Sequence, residues 1–429
     1  MKTNITLIIL ALATLFSCNT TTEPITNPND YNAYLEASDK EALELALNDK
    51  NFWEQKLSDH PDQFPYASKL GASYSHLFAQ TGKIDYLISS ETYLRQVVEA
   101  TNYKDPGALK SLAANYISQH KFKEALELLS KAELIGDTLE GTQKMLFDVY
   151  LELGNYELAK MYLDTFKNFS DFDYLIRLSK WSDHQGNLDA AIKYMEQAMV
   201  IAESSNLPAI KKWAYTNIAD FYGHAGLINK SYQHYLKALA LDPHDAYAKK
   251  GIAWIAYSYE KNPEEALRIL NKVTENYQAP DYYLLKAEIA DYMGDTALKN
   301  TQLALYKTAV EDAAYGAMYN KYNVLLYTDE EQAIDQALAI ARIEVEHRPT
   351  PESYDLLAWA LFKNGNTNAA LIIVNDHIIN KTFEPAILYH VAEIYKATGN
   401  YAAVKPLKKE LLGSLYELGP TMNQNIQQL

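Results

Sequence analysis

The amino-acid sequence predicts an all-α fold, a solenoid of about ten stacked pairs of antiparallel helices. Apolar residues recur at a fixed period of thirty-four residues. Within each period they fall three and four residues apart, the spacing of an apolar helical stripe. Glycines and polar residues separate one stripe from the next, as turns between helices require. The repeated positions are Leu112, Tyr116, Phe122, Ala125, Leu129 and Ala132, which correspond to Leu146, Tyr150, Tyr156, Ala159, Leu163 and Phe166.

A single repeat unit shows why the helices must stack. Its first helix carries an apolar stripe from Leu109 to Tyr116, and its second carries a stripe that starts at Phe122. Only the residues from Ser118 to Lys121 join the two stripes, so the helices lie antiparallel. A lone pair of this size cannot bury its apolar stripe. Each unit therefore needs a neighbour on both sides.

The unit pattern resembles the tetratricopeptide repeat. Between Asp105 and Asp171 it reads large-x-x-Leu-Ala-x-x-Tyr, a turn, and then aromatic, Ala, Leu and Ala. The resemblance implies a right-handed superhelix of about ten repeats, with a concave groove that binds ligands. The first helices of the regular units are expected to start near Pro106, Glu140, Phe172, Lys212, Tyr247, Pro280, Pro351 and Pro385.

The chain divides into five segments by composition and pattern. We expect the solenoid to end in an amphipathic capping helix from Pro406 to Leu418, and the residues beyond it to fray. The segments are a signal peptide (1–17), a polar tether (18–30), an N-terminal helical cap with divergent repeats (31–104), the regular solenoid (105–418) and a polar C-terminal tail (419–429).

The first residues predict an exported, lipid-anchored protein. The apolar run from Ile5 to Phe16 is too short to span a bilayer, and Lys2 precedes it, so a signal peptide is indicated. Leu15 to Cys18 resembles the bacterial lipoprotein processing box. The resemblance implies cleavage after Ser17, lipidation of Cys18 and a place in the bacterial cell envelope, with the outer membrane favoured over the inner. The alternative is an ordinary secretory signal that contains the chain's one cysteine by chance.

Composition and motifs argue against several classes of function. With 39 Lys and Arg against 55 Asp and Glu, the net charge of −16 disfavours nucleic acid as a partner. The sequence contains no HExxH, CxxC, GxGxxG, GxxxxGK[ST] or GxSxG motif, so we predict no enzyme, no metal site and no cofactor. His224 and His234 are ten residues apart but are expected to lie on the surface. Asp171 is expected to cap a helix rather than to bind calcium.

The remaining candidate site is the concave groove. The resemblance places it on the first helix of each unit, where acidic and aromatic residues are interleaved. We expect Trp213 and Trp359 to be exposed there as binding residues. The predicted function is a scaffold that binds a protein or peptide of an envelope complex, and the alternative is a lipoprotein that captures glycans at the cell surface. The candidate groove residues are Asp148, Lys180, His184, Trp213, Asp220, Tyr259, Asp291, Tyr292, Asp355 and Trp359.

Overall fold

A computed structural model describes residues 24–38 and 40–429, which form helices and connecting turns without a strand. Two π-helical segments, Ile255–Tyr259 and Val374–Ile378, and a 3-10 turn, Ala313–Tyr315, interrupt the α-helices. The α-helices are α1 Pro28–Leu35, α2 Lys40–Asp59, α3 Phe64–Thr81, α4 Ile84–Ala100, α5 Pro106–Ser118, α6 Phe122–Ile135, α7 Leu139–Glu152, α8 Tyr156–Thr165, α9 Phe172–His184, α10 Leu188–Ser204, α11 Pro208–His224, α12 Ile228–Leu241, α13 Ala246–Trp254, α14 Pro263–Thr274, α15 Asp281–Tyr292, α16 Thr296–Val310, α17 Asn320–Asp329, α18 Ile334–His347, α19 Pro351–Lys363, α20 Thr367–Ile373, α21 Pro385–Ala397, α22 Tyr401–Gly413, α23 Leu415–Leu418 and α24 Met422–Gln428.

The helices from α3 to α22 form ten consecutive pairs, which we number units 1 to 10. Local sequence explains where they begin and reverse. Asp105 caps α5 by accepting backbone N–H bonds from Gly107 and Ala108, with Pro106 as the first helical residue. Asp171 caps α9 in the same way, as predicted. Gly154 takes a φ of 73° at the turn of unit 3, a value that glycine adopts without strain.

Small residues let the paired helices pack closely. Ala113 and Ala125 of unit 2 have no exposed surface, and Ala159 of unit 3 is buried to the same extent. First helices of successive units also contact one another, for example α7 with α9 and α19 with α21. The first helices therefore form the inner layer of the curved stack, because neighbouring elements come closest on the concave side.

The superhelix completes one full turn in about six units. The turns within the early units therefore contact loops that link units in the second half of the chain. The N–H of Gln278, ahead of α15, donates to the carbonyl of Thr81 over 2.8 Å. Arg348 Nη2 lies 2.7 Å from Glu152 Oε2. Phe383 packs on Gly186, where an added Cβ would lie 2.5 Å from its ring. The two turns of the superhelix are thus in direct contact.

Three expectations about the ends of the chain are wrong where the structure describes them. The second half of the polar tether is packed, because Ile25 and Thr26 donate backbone N–H bonds to Glu260 and α1 begins at Pro28. The tail does not fray, because it forms α24 and Ile426 is fully buried. No separate helix starts at Pro406, which lies inside α22. The signal peptide and Cys18 lie outside the described residues.

Most predicted starts of first helices agree with the structure. The helices α5, α9, α19 and α21 begin at the predicted residues. The prediction near Lys212 is wrong by one helical turn, because Pro208 occupies the start of α11. No described helix is both long and apolar enough to cross a membrane.

Candidate peptide-binding surface

The inner layer carries charges that are largely paired within the protein. Asp148 Oδ2 of α7 accepts from Arg177 Nη2 of α9 over 2.7 Å. Lys180 Nζ lies 3.0 Å from Glu152 Oε1, and Arg348 contacts the same carboxylate from the second superhelical turn. These pairs hold neighbouring units together. They leave less free negative charge on this part of the groove than the sequence suggested.

His184 and Asp220 lie on the inner layer but are engaged by aromatic neighbours. The ring of His184 lies 4.3 Å from that of Tyr156, and burial lowers its pKa. Asp220 accepts hydrogen bonds from the hydroxyls of Tyr235 and Tyr247, the second over 2.7 Å. Burial raises the pKa of the Asp220 carboxyl, and the two hydroxyls oppose that effect.

The two tryptophans predicted to be exposed behave differently. Trp213 is 41% exposed and meets the ring of Phe172 edge to face at 5.9 Å. Trp359 is only 5% exposed, its indole stacks 4.0 Å from His390, and its Nε1 donates to Asp329. The expectation for Trp359 is therefore wrong.

Asp355 is buried in the same contact. It is 4% exposed, and its Oδ2 lies 2.8 Å from His390 Nδ1. Units 9 and 10 press together here, so both Asp355 and Trp359 join neighbouring units rather than facing an open groove. Asp355 and Trp359 are four residues apart on α19, so they lie on the same face of the helix. The spacing does not tell whether that face is exposed or buried.

The other candidates lie near unit 6. Tyr259 belongs to the first π-helical segment and is half-buried against the core. Asp291 pairs with Lys299 over 3.1 Å, and Tyr292 meets the ring of Tyr257 edge to face at 5.6 Å. Here the inner layer is covered by residues from the far end of the chain.

We call Gly223, His224, Trp254, Ser258 and Glu288 the inner seat, and residues 414–421 the C-terminal segment. The carbonyl of Tyr416 accepts two hydrogen bonds from the inner seat, from Trp254 Nε1 over 3.0 Å and from Ser258 Oγ over 2.6 Å. Side chains of the inner layer thus hold a peptide backbone. Such bonds bind a segment through main-chain atoms that any residue provides.

Close contacts with glycines fit the C-terminal segment to the inner seat. A Cβ on Gly223 would lie 2.8 Å from Tyr416 Cε1, so the aromatic ring occupies the space that this glycine leaves. Gly419 has a φ of 81°, and a Cβ there would lie 2.6 Å from Glu288 Oε1. The backbone of Gly419 passes over Trp254 as well. Both glycines are therefore needed for the observed approach.

Both donors lie at the first π-helical segment. Its wider turn is closed by bonds such as Glu260 N–H to the carbonyl of Ile255, over 3.1 Å. Trp254 ends α13 and Ser258 lies four residues later, within this turn. Insertions of this kind cluster at functional sites because they re-aim side chains.

Half-buried carboxylates lie in and near the inner seat. Burial raises the pKa of Glu288 to about 7, against the effect of the Tyr257 hydroxyl, which donates to it over 3.0 Å. Burial also raises the pKa values of Glu417, Glu384 and Asp183. Among the described residues, no group of three or more His, Cys, Asp or Glu side chains is arranged to hold a metal ion.

Sequence reasoning missed the central donors of this surface. Trp254 and Ser258 are four residues apart, an ordinary helical spacing that gave no sign of a π-helix. Gly223 offered a faint signal, since a glycine near the end of a long first helix leaves room for a close neighbour. Nothing in the local pattern indicated that this neighbour is Tyr416.

Comparisons with known proteins agree with the helix-pair architecture. A family model described as tetratricopeptide repeat matches residues 214–245, which span the second part of α11 and all of α12. A search of curated proteins by sequence finds no match. The match and the helix order together support the tetratricopeptide-repeat resemblance. The fold is an all-α solenoid of this type.

Three solved structures illustrate the similarity in architecture. A human IFIT1 dimer with m7Gppp-AAAA is 12% identical, covers 73% of this chain and 70% of its own, and has a TM-score of 0.48. Pseudomonas aeruginosa pilF is 15% identical, with 49% and 94% covered and a TM-score of 0.37. A tetratricopeptide repeat protein from Parabacteroides merdae is 14% identical, with 61% and 97% covered and a TM-score of 0.34. At these TM-scores the similarities carry no argument about function.

Proposed function

We propose that this protein is a non-enzymatic scaffold, lipid-anchored through Cys18 in a bacterial cell envelope. It binds a protein or peptide partner on the inner surface of its superhelix. A solenoid of helix pairs suits this role because it presents a long, curved surface built from many similar units. The outer membrane is the favoured location. No cofactor and no catalytic group enter the proposal.

One observation carries the proposal. The inner seat holds the C-terminal segment through a main-chain carbonyl, an aromatic ring and a glycine, as a receptor holds a peptide. The inner layer also presents Trp213, which is 41% exposed. Tryptophans of this kind contribute strongly to protein interfaces, often about 2 kcal/mol or more on truncation.

Purification from the native envelope tests the proposal. The full-length protein is isolated from detergent-solubilised membranes, and co-purifying proteins are identified by mass spectrometry. We expect one envelope protein in near-equal amount, and we expect Trp213→Ala to weaken its retention about tenfold, in keeping with the loss of an interface tryptophan. Tyr401→Ala is the matched control, because Tyr401 is 65% exposed at the start of a second helix.

The outcomes separate the two candidate functions. Retention of a glycan without a protein partner would support glycan capture instead of a protein scaffold. Equal loss of the partner in the Trp213→Ala and Tyr401→Ala variants would mean that binding does not use the inner layer. Circular dichroism of both variants, with unchanged helicity, excludes unfolding as the cause.

The anchor is tested separately with Cys18→Ser. Acyl chains bind a bilayer with about 0.8 kcal/mol per buried methylene group, so their loss should release the protein from membranes. We expect the Cys18→Ser protein in the soluble fraction after a salt wash, and the wild type in the membrane fraction. A Cys18→Ser protein that stays with the membrane overturns the lipid anchor and leaves the scaffold untouched.

A further inference from the structure

The C-terminal segment occupies the inner seat without belonging to a regular helix pair. It lies between α22, the last helix of unit 10, and α24, which folds back on α22. The short helix α23 within it contacts α11 and the π-helical segment. The bond from Trp254 to the carbonyl of Tyr416 joins residues 162 positions apart. The contact therefore joins the end of the chain to the inner layer of units 5 to 7.

We propose that the inner seat is a peptide-binding site occupied in cis by the C-terminal segment, and that a partner segment of the same chemistry competes for it. The partner segment carries an aromatic residue, an acidic residue directly after it and a glycine three residues after the aromatic. This inference rests on the proposed function, since it names the part of the inner surface that binds and the kind of peptide that fits.

Each position of the proposed motif has a counterpart in the inner seat. The aromatic residue takes the place of Tyr416 in the space beside Gly223. Its carbonyl accepts from Trp254 and Ser258. These contacts require an aromatic ring and a main-chain oxygen from the same residue.

The next positions add charge and shape. The acidic residue takes the place of Glu417, whose Oε2 lies 3.8 Å from His224 Nδ1. The glycine takes the place of Gly419, which passes over Glu288 with a φ that other residues rarely adopt. The motif is thus read from four contacts that the C-terminal segment already makes.

The contact is suited to exchange. Its short hydrogen bonds from Trp254 and Ser258 converge on the carbonyl of Tyr416, and Ser258 Oγ lies 3.5 Å from that of Leu415. By contrast, Ile426 of α24 is fully buried and holds the chain end on unit 10. Docking also removes water from the Glu417 carboxylate, and this burial raises its pKa, against the effect of His224 and with a smaller contribution from Asp183. This loss of hydration opposes the occupied state, so the C-terminal segment is loosely held.

Two glycine substitutions separate release of the segment from blockage of the site. Gly419→Ala strains the segment and clashes with Glu288, but it leaves the inner seat free of change. Gly223→Ala also expels the Tyr416 ring, but it fills the space that an incoming aromatic would need. Gly413→Ala is the neutral control, because its Cβ meets nothing within 4 Å.

The experiment measures binding of a fluorescent synthetic peptide with the sequence of residues 413–421 to the full-length Cys18→Ser protein. Limited proteolysis within residues 414–421 reports release of the segment. We expect both Gly419→Ala and Gly223→Ala to become cleavable. We expect Gly419→Ala alone to bind the peptide at least tenfold more tightly than the unsubstituted protein, corresponding to about 1.4 kcal/mol or more. A peptide with alanine at its tyrosine should not bind.

Several results overturn the inference. They are a cleavable Gly419→Ala protein that does not bind the peptide, equal peptide binding by the two variants, or a Gly419→Ala protein that stays protected from cleavage. If Gly419→Ala does not fold, Tyr416→Ala replaces it, since this change empties the aromatic position without straining the backbone. Concentration-dependent dimers of the wild type in size-exclusion chromatography would show occupation in trans and contradict occupation in cis.

The result is independent of the test of the proposed function. If an envelope partner is captured but the peptide cannot displace it, the proposed scaffold function stands and the proposed peptide-binding site is contradicted. Displacement of a captured partner by the peptide supports both. Peptide binding without any captured envelope protein supports the site and contradicts the proposed scaffold.

Discussion

Both ends of the described chain return to the middle of the superhelix, but they are held in different ways. At the N-terminal end, Glu260 accepts two backbone N–H bonds of 2.6 Å and the Thr26 hydroxyl, and Tyr31 is 1% exposed. At the C-terminal end, two donors share the carbonyl of Tyr416, and half-buried Glu288 lies against Gly419 of the segment.

Hydrogen bonding and apolar burial distinguish a structural contact from an exchangeable one here. At the N-terminal end, donors converge on charged acceptors and a large ring is buried, so both hydrogen bonding and apolar burial favour the contact. At the C-terminal end, the ring is half-buried and nearby carboxylates lose hydration. We therefore expect the N-terminal contact to carry stability and the C-terminal contact to carry regulation of binding.

The largest expected effect comes from Tyr31→Ala. Truncating a fully buried aromatic residue leaves a cavity and costs about 3–5 kcal/mol of unfolding free energy. The hydroxyl bond of 2.5 Å to Glu265 is lost as well. Urea unfolding followed by circular dichroism measures the change, with Tyr34→Ala on the same helix as the control. A Tyr31→Ala protein as stable as the control would mean that the N-terminal contact is not structural.

The second prediction concerns pH. The pKa of Glu288 is raised to about 7, and that of an unfolded glutamate is about 4.3, so the folded state binds the extra proton. Its stabilising effect is complete below the unfolded value and is lost as the pH rises through about 7, a change of up to about 3 kcal/mol. The groups that face Glu288 are the Tyr257 hydroxyl and Asp291.

Glu288→Gln should therefore flatten the fall in stability between pH 5 and pH 8. Unfolding free energies at several pH values measure it, with Glu311→Gln, a change at an exposed glutamate, as the control. The N-terminal contact should respond oppositely and at lower pH, because a hydrogen bond from Arg268 lowers the pKa of Glu265. That contribution is present above the unfolded pKa and is lost on acidification. Identical pH profiles of unfolding free energy for Glu288→Gln and wild type would contradict the expectation for Glu288.

A smaller effect is expected from Thr26→Val. The change removes the hydroxyl that lies 2.8 Å from Glu260 Oε2 and keeps the size of the side chain. A hydrogen bond to a charged group contributes about 1.5–3 kcal/mol, and the two backbone bonds should keep the loss near the lower value. Amide hydrogen exchange of residues 25–35 measures local release, and Thr26→Ser, which retains the hydroxyl, is the control. Exchange that does not accelerate in Thr26→Val would show that the backbone bonds suffice.

The smallest effect on global stability is expected from Tyr416→Ala. The hydrogen bonds of the C-terminal segment use the carbonyl of Tyr416, which the substitution retains, and the lost ring is only half-buried. We expect a change of about 1 kcal/mol, together with faster proteolysis within residues 414–421. A loss as large as that from Tyr31→Ala would make the two ends equivalent and remove the distinction between them.

Local features of the fold could be read from the sequence. Pro106 and Pro351 marked helix starts, because proline fits the first turn and a polar residue precedes each one. Asp171 was recognised as a cap. The turn glycines followed from their permissive backbone. These predictions succeeded because the interactions involved lie within a few residues of each other.

The candidate site depended on contacts that local patterns do not contain. Trp213 and Trp359 both lie on first helices, yet only Trp213 is exposed, because His390 of the next unit covers the other ring. The packing of Ile25 against Glu260 joins residues 235 positions apart. A repeat period reports which face of a helix is apolar, but it does not report which surfaces meet when the superhelix completes a turn.

The contact between the two turns of the superhelix has a consequence for folding. The bond from Gln278 to Thr81 forms only after the intervening units have wound through a full turn. Contacts between residues so far apart slow folding, because the chain loses much conformational freedom before they form. During synthesis the first units leave the ribosome before the second half of the chain is made. Until the second half arrives, the edge formed by the turns of the first units is exposed to water or to a chaperone.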